Sequence, residues 1–153
     1  MLSNKVINKS INAPNLVNFL KSLILLMKPR VMSLVVFTSA VGLLTSPNTI
    51  PLLNAFMSIF FVTLGAGAAG TLNMWYEADL DKLMTRTCLR PIPTGKINKQ
   101  QALIFGIVLS IISIYGLYYF SNFLSAFLLF VTIAFYLFVY TIWLKRKTPQ
   151  NIV

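Results

Sequence analysis

The acidic residues of this chain lie together in one short stretch. Glu77, Asp79 and Asp81 are its three carboxylates, and no histidine is present. On an α-helix, Asn73, Glu77 and Asp81 follow one another at four-residue intervals and share one face. Asp79 would point away, within reach of Lys82. Carboxylate and amide oxygens suit Mg²⁺, which adds water and phosphate to its shell. The spacing therefore fits a magnesium site, or a solvated helix end whose acids pair with nearby cations.

Two arginines follow the acids closely. Arg86 lies five residues after Asp81, and Arg90 lies nine residues after it. Guanidinium groups bind phosphate oxygens in a bidentate manner. Carboxylates for Mg²⁺ beside arginines for phosphate are the groups needed to neutralise a diphosphate. The alternative is that both arginines only mark the cytoplasmic side of a membrane protein.

The composition is that of a membrane protein. Hydrophobic residues make up 57% of the chain and charged residues 10%, with a mean hydropathy of +0.77. Soluble domains carry about 25% charge, and a chain of 153 residues is too short to bury so much apolar surface in water. A soluble or disordered protein is excluded. Nucleic-acid binding, which the net charge of +10 would otherwise suggest, lacks the soluble scaffold it requires.

Two long uncharged runs must position the acidic stretch. Residues 31–76 and 100–144 contain no charged residue, and each run can supply two helices of about 20 residues. Ser46-Pro47-Asn48 and Ser121-Asn122 supply the turns that divide them. The pattern predicts an all-α, polytopic transmembrane bundle with four spans, at residues 23–44, 51–76, 99–120 and 123–144. Asn98 and Gln101 fit a capping box at the start of the third span.

The basic residues predict the orientation of these spans. All 13 lie before or in the first two turns of the first span, between the second span and the first residue of the third, or after the fourth. The positive-inside rule therefore places both termini and the middle link in the cytoplasm. Residues 1–22 form a cytoplasmic tail without the apolar core of a signal peptide. Residues 23–153 form the transmembrane domain.

One glycine pattern has to be separated from a nucleotide-binding motif. Gly65-Ala-Gly67-Ala-Ala-Gly70 matches the dinucleotide pattern GxGxxG literally. That motif requires a preceding strand and the start of a helix, whereas these glycines lie within a predicted span. Small residues in a span allow neighbouring helices to approach closely. The glycines are therefore predicted to pack helices together.

The acidic stretch resembles the first aspartate-rich motif of a known family. The segments that carry the resemblance are Asn73-Met-Trp-Tyr-Glu77-Ala-Asp79-Leu-Asp81, Met84-Thr-Arg86-Thr and Arg90-Pro-Ile-Pro. They are similar to those of the protohaem IX farnesyltransferases, or haem O synthases, which are UbiA-type intramembrane prenyltransferases. Lys28-Pro-Arg30-Val, Tyr140-Thr and Lys145-Arg-Lys-Thr-Pro-Gln-Asn-Ile fit the same family, so the resemblance covers the chain from about residue 23 onward.

The resemblance implies a reaction and a set of site residues. A farnesyl group would pass from farnesyl diphosphate to a vinyl group of haem B, giving haem O. The residues implied as catalytic and as Mg²⁺ ligands are Asn73, Glu77 and Asp81, and those implied at the diphosphate are Arg86, Arg90 and, as helpers, Lys28 or Arg30. The family commonly has Asp at the position of Glu77, and the extra methylene could shift the ion. Tyr76 could line a prenyl groove, although membrane-interface belts explain such aromatics more simply.

The length of the chain bears on these expectations. Family members are about twice as long, with nine helices and a second aspartate-rich motif that has no counterpart here. We therefore expect the N-terminal half of the fold: a truncated product, one piece of a split enzyme or a decayed gene. Its expected surroundings are the lipid bilayer of a bacterial inner (plasma) membrane, and a separate C-terminal half or a terminal oxidase assembly as partner. The alternatives are a related prenyltransferase acting on a quinone or another tetrapyrrole, or a non-catalytic four-helix membrane protein.

Overall fold

The computed structural model describes residues 16–47 and 50–144, whose regular structure is helical with no strand among them. The helices are α1 (Leu16–Leu26), α2 (Pro29–Leu44), α3 (Leu52–Asp81), α4 (Lys99–Phe120) and α5 (Phe123–Phe135), followed by a π-helical segment, Tyr136–Leu144. The all-α fold class is confirmed. Most of the predicted tail 1–22, and the basic group at 145–147, lie outside the described residues.

The number of membrane spans agrees with the prediction. Three helices are long and apolar enough to cross a bilayer: Leu52–Asp81, Lys99–Phe120 and Phe123–Trp143. The pair α1 and α2 would supply a fourth span if the two helices are counted as one. The described part of the chain therefore contains three or four candidate spans, as an integral membrane protein should.

The prediction of one continuous first helix at 23–44 is wrong. The chain breaks at Met27 and Lys28, and α1 and α2 meet there at 56°. Pro29 is the cause, because a proline disfavours the α-conformation of the residue before it. Lys28 adopts the left-handed region instead, with φ 54° and ψ 69°. It is the one non-glycine residue with positive φ in the part of the chain that the structure describes. Pro29 then begins α2, a position at which its missing N–H costs nothing.

The boundaries of the other helices were predicted with mixed success. The predicted second span ends at residue 76, but α3 continues to Asp81, so the whole acidic stretch is helical. The third span has the predicted ends, and the Asn98 N–H donates to Oε1 of Gln101 at 3.1 Å as the capping box requires. The fourth begins at Phe123 as predicted but changes to π-helix at Tyr136.

The glycine pattern packs helices together, as predicted. A Cβ added to Gly65 would lie 2.8 Å from Leu129 Cδ1, and one added to Gly67 would lie 2.6 Å from Met27 Cε. A Cβ on Gly70 would lie 3.4 Å from the Met27 carbonyl oxygen and 3.6 Å from Lys28 Cδ. Gly65 admits a side chain of α5, whereas Gly67 and Gly70 let the break between α1 and α2 rest directly on α3. The aliphatic part of Lys28 consequently lies across Gly70, one helical turn before Asn73.

The acidic end of α3 is also where the described helices are most closely packed. Its buried cluster joins the end of α1, the end of α3, the loop 82–98 and the start of α4, through Leu26, Met74, Ala78, Ile92, Ile97 and Ala102. Many large apolar side chains elsewhere are exposed, as expected of helices that face lipid. The buried apolar core of the described helices therefore lies beside the acids.

Replacing Gly67 with a large residue should destabilise the packing of the α1–α2 break. In Gly67→Leu, the new side chain would overlap Met27 on the break, and overpacking of this kind costs about 1–3 kcal/mol. We expect a lower melting temperature for the detergent-solubilised chain. Gly42→Ala is the matched control, because no atom lies within 4 Å of its new Cβ and alanine favours helix. Equal melting temperatures for both variants would contradict the packing role.

Candidate active site

The last turns of α3 present a buried polar face. Asn73, Glu77 and Asp81 are only 1%, 4% and 3% exposed, although they belong to the most polar part of the helix. Asp79 lies on the other side, where its side chain is 70% exposed and pairs with Lys99 Nζ at 3.1 Å. The sequence suggested Lys82 as its partner, but the start of α4 packs against this end of α3 and supplies Lys99. We refer to Asn73, Glu77 and Asp81 as the oxygen face.

Lys28 reaches the oxygen face from the helix break. Its Nζ donates to Oδ1 of Asn73 at 2.6 Å, across 45 residues of sequence. A hydrogen bond from an ammonium group is shorter and stronger than a neutral one. The left-handed backbone at Lys28 and the missing side chain at Gly70 together create the path for this contact. One of the two basic residues predicted as helpers is therefore in the site.

Arg90 reaches the opposite end of the oxygen face. Its Nη1 donates to Oδ1 and Oδ2 of Asp81, at 2.9 and 2.8 Å. The chain returns to α3 through successive turns in which the Thr87 N–H donates to the Met84 carbonyl and the Arg90 N–H to the Thr87 carbonyl. The Thr87 hydroxyl donates to the Asp81 carbonyl at 3.1 Å and ties this loop to the helix end. Arg90 is thus held beside the acids.

The other two predicted basic residues are placed differently. Arg30 lies in the first turn of α2 and Arg86 in the loop after α3, and both are exposed. The structure therefore brings Lys28 and Arg90 to the oxygen face, and leaves Arg30 and Arg86 at the surface. A contact between either surface arginine and a diphosphate stays a prediction.

One residue of the site was missed in the sequence. The Asn73 Nδ2 donates to Oγ1 of Thr141 at 3.2 Å, and Thr141 is 1% exposed. Thr141 lies in the π-helical segment, and its hydroxyl donates to the Tyr136 carbonyl at 2.9 Å. In the sequence, Thr141 was noted only as part of the Tyr140-Thr segment that fits the family, and no role was predicted for it. The available signal was a hydroxyl residue inside an otherwise apolar run.

An apolar cavity adjoins the oxygen face. Its volume is about 590 Å³, within the usual range for small-molecule sites. Its walls come mainly from apolar residues of α2, α3 and α5, such as Val35, Val62 and Leu128. Lys28 lines the cavity and also binds Asn73, so the cavity meets the oxygen face at this side chain. Tyr76, Tyr115, Tyr118 and Tyr119 do not line the described cavity, and the last three are exposed.

The oxygen face has the donor chemistry of a site for a hard divalent cation. Two carboxylates and one amide oxygen are the ligand types that Mg²⁺ prefers. No cluster of three or more His, Cys, Asp or Glu residues occurs in residues 16–47 and 50–144, so the third ligand would have to be the Asn73 amide. The residues present therefore fit the ion.

Comparison with known proteins gives the class of protein that carries such a site. The model of the UbiA prenyltransferase family matches residues 34–153. The chain therefore belongs to the UbiA prenyltransferase family, as the motif around the oxygen face suggested. No solved structure matches it.

Individual relatives narrow the resemblance further. Over all 153 residues, the chain is 63% identical to a protoheme IX farnesyltransferase of Pelagibacter ubique and covers 50% of that protein. It is 59% identical over 128 residues to protoheme IX farnesyltransferase 2 of Mesorhizobium japonicum, covering 84% of this chain and 41% of that protein. It is 55% identical over 130 residues to the protoheme IX farnesyltransferase of Bartonella quintana, covering 85% and 42%. The chain thus spans about half the length of the curated relatives it matches.

Removing the Arg90 guanidinium group that pairs with Asp81 should destabilise the fold. In Arg90→Met, a carboxylate that is 3% exposed loses its ion pair, and we expect the free energy of unfolding to fall by about 2–3 kcal/mol. The measurement is chemical or thermal unfolding of the chain in detergent. Adding Asp81→Asn to Arg90→Met should recover part of the loss.

The matched control for Arg90→Met is Lys99→Met, which breaks the exposed pair with Asp79. Exposed ion pairs contribute about 0–1 kcal/mol, so this variant should be close to the unchanged chain. A larger loss for Lys99→Met than for Arg90→Met would contradict the account of the oxygen face.

Proposed function

We propose that this chain supplies the diphosphate-binding half of a protohaem IX farnesyltransferase, which makes haem O from farnesyl diphosphate and haem B. The observation that carries the proposal is the junction at Lys28, where a buried oxygen face meets an apolar cavity. A prenyl diphosphate matches this arrangement, because it has an apolar chain at one end and a charged diphosphate at the other. The names of the relatives support the choice of substrates.

The cavity would bind the farnesyl chain, and the oxygen face would receive its diphosphate. Apolar walls exclude water from the prenyl carbons, which protects an allylic cation from premature capture. Lys28, at the junction, fixes which end of the substrate enters the polar part. The substrate is thus oriented with its C–O bond near the boundary between the two regions.

Positive charge at the oxygen face would assist departure of the diphosphate. When the C–O bond breaks, its electron pair goes to the diphosphate, so preorganised cations next to that oxygen lower the barrier. Lys28 and Arg90 are the two cationic side chains that hydrogen-bond to the oxygen face. Ammonium and guanidinium groups both bind phosphate oxygens, so these two side chains are the proposed contacts to the diphosphate.

The acceptor would then capture the allylic cation. A vinyl group of haem B supplies the electron pair for the new C–C bond, which leaves a positive charge next to the ring. Water adds to that carbon and loses a proton, giving the hydroxyl of haem O. The site described here concerns the farnesyl donor, and the choice of haem B follows the names of the relatives.

The proposed ion is Mg²⁺. The UbiA family generally uses a divalent metal, and Asn73, Glu77 and Asp81 are the residues that would hold it. When bound, Mg²⁺ neutralises diphosphate charge and improves the leaving group. A second set of acidic ligands would come from the C-terminal half, which we propose as a partner together with a terminal oxidase assembly.

The test uses the chain joined to the C-terminal half of the Pelagibacter ubique relative. The purified fusion would receive farnesyl diphosphate, haem B and Mg²⁺, and haem O would be detected by chromatography and mass spectrometry. Haem O formation supports the proposal. Prenylation of a quinone instead would identify a related prenyltransferase. Active sites of this kind should bind farnesyl diphosphate in Mg²⁺ and release it in EDTA. A chain that does not show this Mg²⁺-dependent binding would favour a non-catalytic membrane protein.

Asp81 and Asp79 should differ sharply in their effect on this fusion. Asp81→Ala removes a buried carboxylate of the oxygen face, and we expect the rate of haem O formation to fall by at least about 100-fold. Asp79→Ala is the matched control. It removes an exposed carboxylate two residues away, so its rate should stay within about threefold of the unchanged fusion. Full activity of Asp81→Ala would remove that residue from the site.

We further propose that the chain lies in the inner (plasma) membrane of a bacterium with both termini in the cytoplasm. The single cysteine, Cys88, offers a test, because it lies partly exposed in the loop after α3. A membrane-impermeant maleimide should label Cys88 in inverted vesicles and leave it unlabelled in intact spheroplasts. Cys88→Ser controls for other sites of reaction. Labelling from the outside only would reverse the orientation.

A further inference from the structure

Asn73 is held at both ends of its side-chain amide. Its Oδ1 accepts from Lys28 Nζ at 2.6 Å, and its Nδ2 donates to Thr141 Oγ1 at 3.2 Å. Asn73 and Thr141 are each 1% exposed. The two partners come from the α1–α2 break, which precedes α3 in the chain, and from the π-helical segment, which follows it. The amide therefore has its two ends fixed by segments far apart in the sequence.

The hydroxyl of Thr141 determines which end of the amide faces it. A hydroxyl has one proton to donate, and that of Thr141 goes to the Tyr136 carbonyl at 2.9 Å. Only its lone pairs remain for Asn73, so it can accept from the NH₂ end and cannot donate to the carbonyl end. The carbonyl oxygen must then point the other way. The chain of bonds from Tyr136 through Thr141 thus directs Oδ1 toward the cationic side of the site.

The π-helical register produces this arrangement. The buried or half-buried threonines of α3 bond to the carbonyl four residues back, as Thr63 does to Ile59 and Thr71 does to Gly67. Thr141 bonds to the carbonyl five residues back, which is the π-helical spacing. π-Helical turns occur frequently at functional sites. Here the wider turn places the Thr141 hydroxyl so that its proton is donated to the Tyr136 carbonyl.

We infer that Thr141 is a positioning residue for the oxygen face: it orients the Asn73 amide so that Oδ1 is presented as a cation ligand. This inference rests on the proposed function, since it assumes that the oxygen face binds a divalent cation. Groups that hydrogen-bond to metal ligands fix the orientation of those ligands, and their loss typically weakens metal affinity by about 10–100-fold. Thr141 itself touches neither the cation nor the farnesyl diphosphate.

The test measures how much Mg²⁺ the full 153-residue chain requires to bind farnesyl diphosphate. Purified chain in detergent would be titrated with Mg²⁺ at a fixed concentration of radiolabelled farnesyl diphosphate. In Thr141→Val, the half-maximal Mg²⁺ concentration should rise by about 10–100-fold. The amount of farnesyl diphosphate bound at saturating Mg²⁺ should stay the same, because the contacts to the diphosphate are intact. A general structural defect would also lower the amount of farnesyl diphosphate bound at saturating Mg²⁺.

Two further variants make the result specific. Thr141→Ser keeps the hydroxyl and should restore the unchanged Mg²⁺ dependence to within about threefold. Thr63→Val removes a threonine hydroxyl that bonds only within α3 and should leave the dependence unchanged. If Thr141→Val fails to fold, Thr141→Ala replaces it, and melting temperatures establish that each variant compared is folded.

The outcomes separate this inference from the proposed function. An unchanged chain whose farnesyl diphosphate binding does not depend on Mg²⁺ would overturn the proposed function, and the inference with it. An unchanged chain with Mg²⁺-dependent binding, and the same dependence in Thr141→Val, would overturn the inference alone. So would failure of Thr141→Ser to restore the dependence, or an equal shift in Thr63→Val.

Discussion

Burial of the oxygen face is the constraint on which the described structure depends. Carboxylates and an amide withdrawn from water must be compensated by charge or hydrogen bonds, since the protein interior screens poorly. Lys28 compensates Asn73 and Arg90 compensates Asp81, and both arrive from outside α3. The broken first helix and the folded loop 82–98 therefore meet the same requirement. Each brings a basic side chain to an otherwise unstable surface.

The break between α1 and α2 shows how packing and charge are combined. The 56° bend at Met27 and Lys28 is what brings the Lys28 side chain to Asn73 on α3. Pro29 ends the first helix, Gly67 admits the Met27 side chain, and Gly70 admits the backbone of the break together with the lysine stem. The left-handed conformation of Lys28 carries a backbone cost, of the kind that functional sites retain when their surroundings fix it.

The parts of this architecture that could be predicted from sequence are those with local causes. The limits of α4 follow from a capping box and a turn, and the oxygen face follows from a four-residue interval on one helix. The choice between Lys28 and Arg30 was not predictable, because it depends on the left-handed backbone of Lys28 and the 56° bend at that point. Thr141 was missed for a different reason. It meets Asn73 across 68 residues, and no local pattern indicates which polar residue of a distant apolar segment will arrive there.

The bond between Asn73 and Thr141 also gives the site an order of assembly. Membrane helices leave the ribosome in sequence, so α3 and its acids emerge while the segment that contains Thr141 is still unmade. During that interval the Asn73 amide has Lys28 available but not its second partner. The orientation of the amide is completed only when the last described segment packs against α3. The Asn73 amide therefore gains its second hydrogen-bond partner only after the segment that contains Thr141 has been made and has packed against α3.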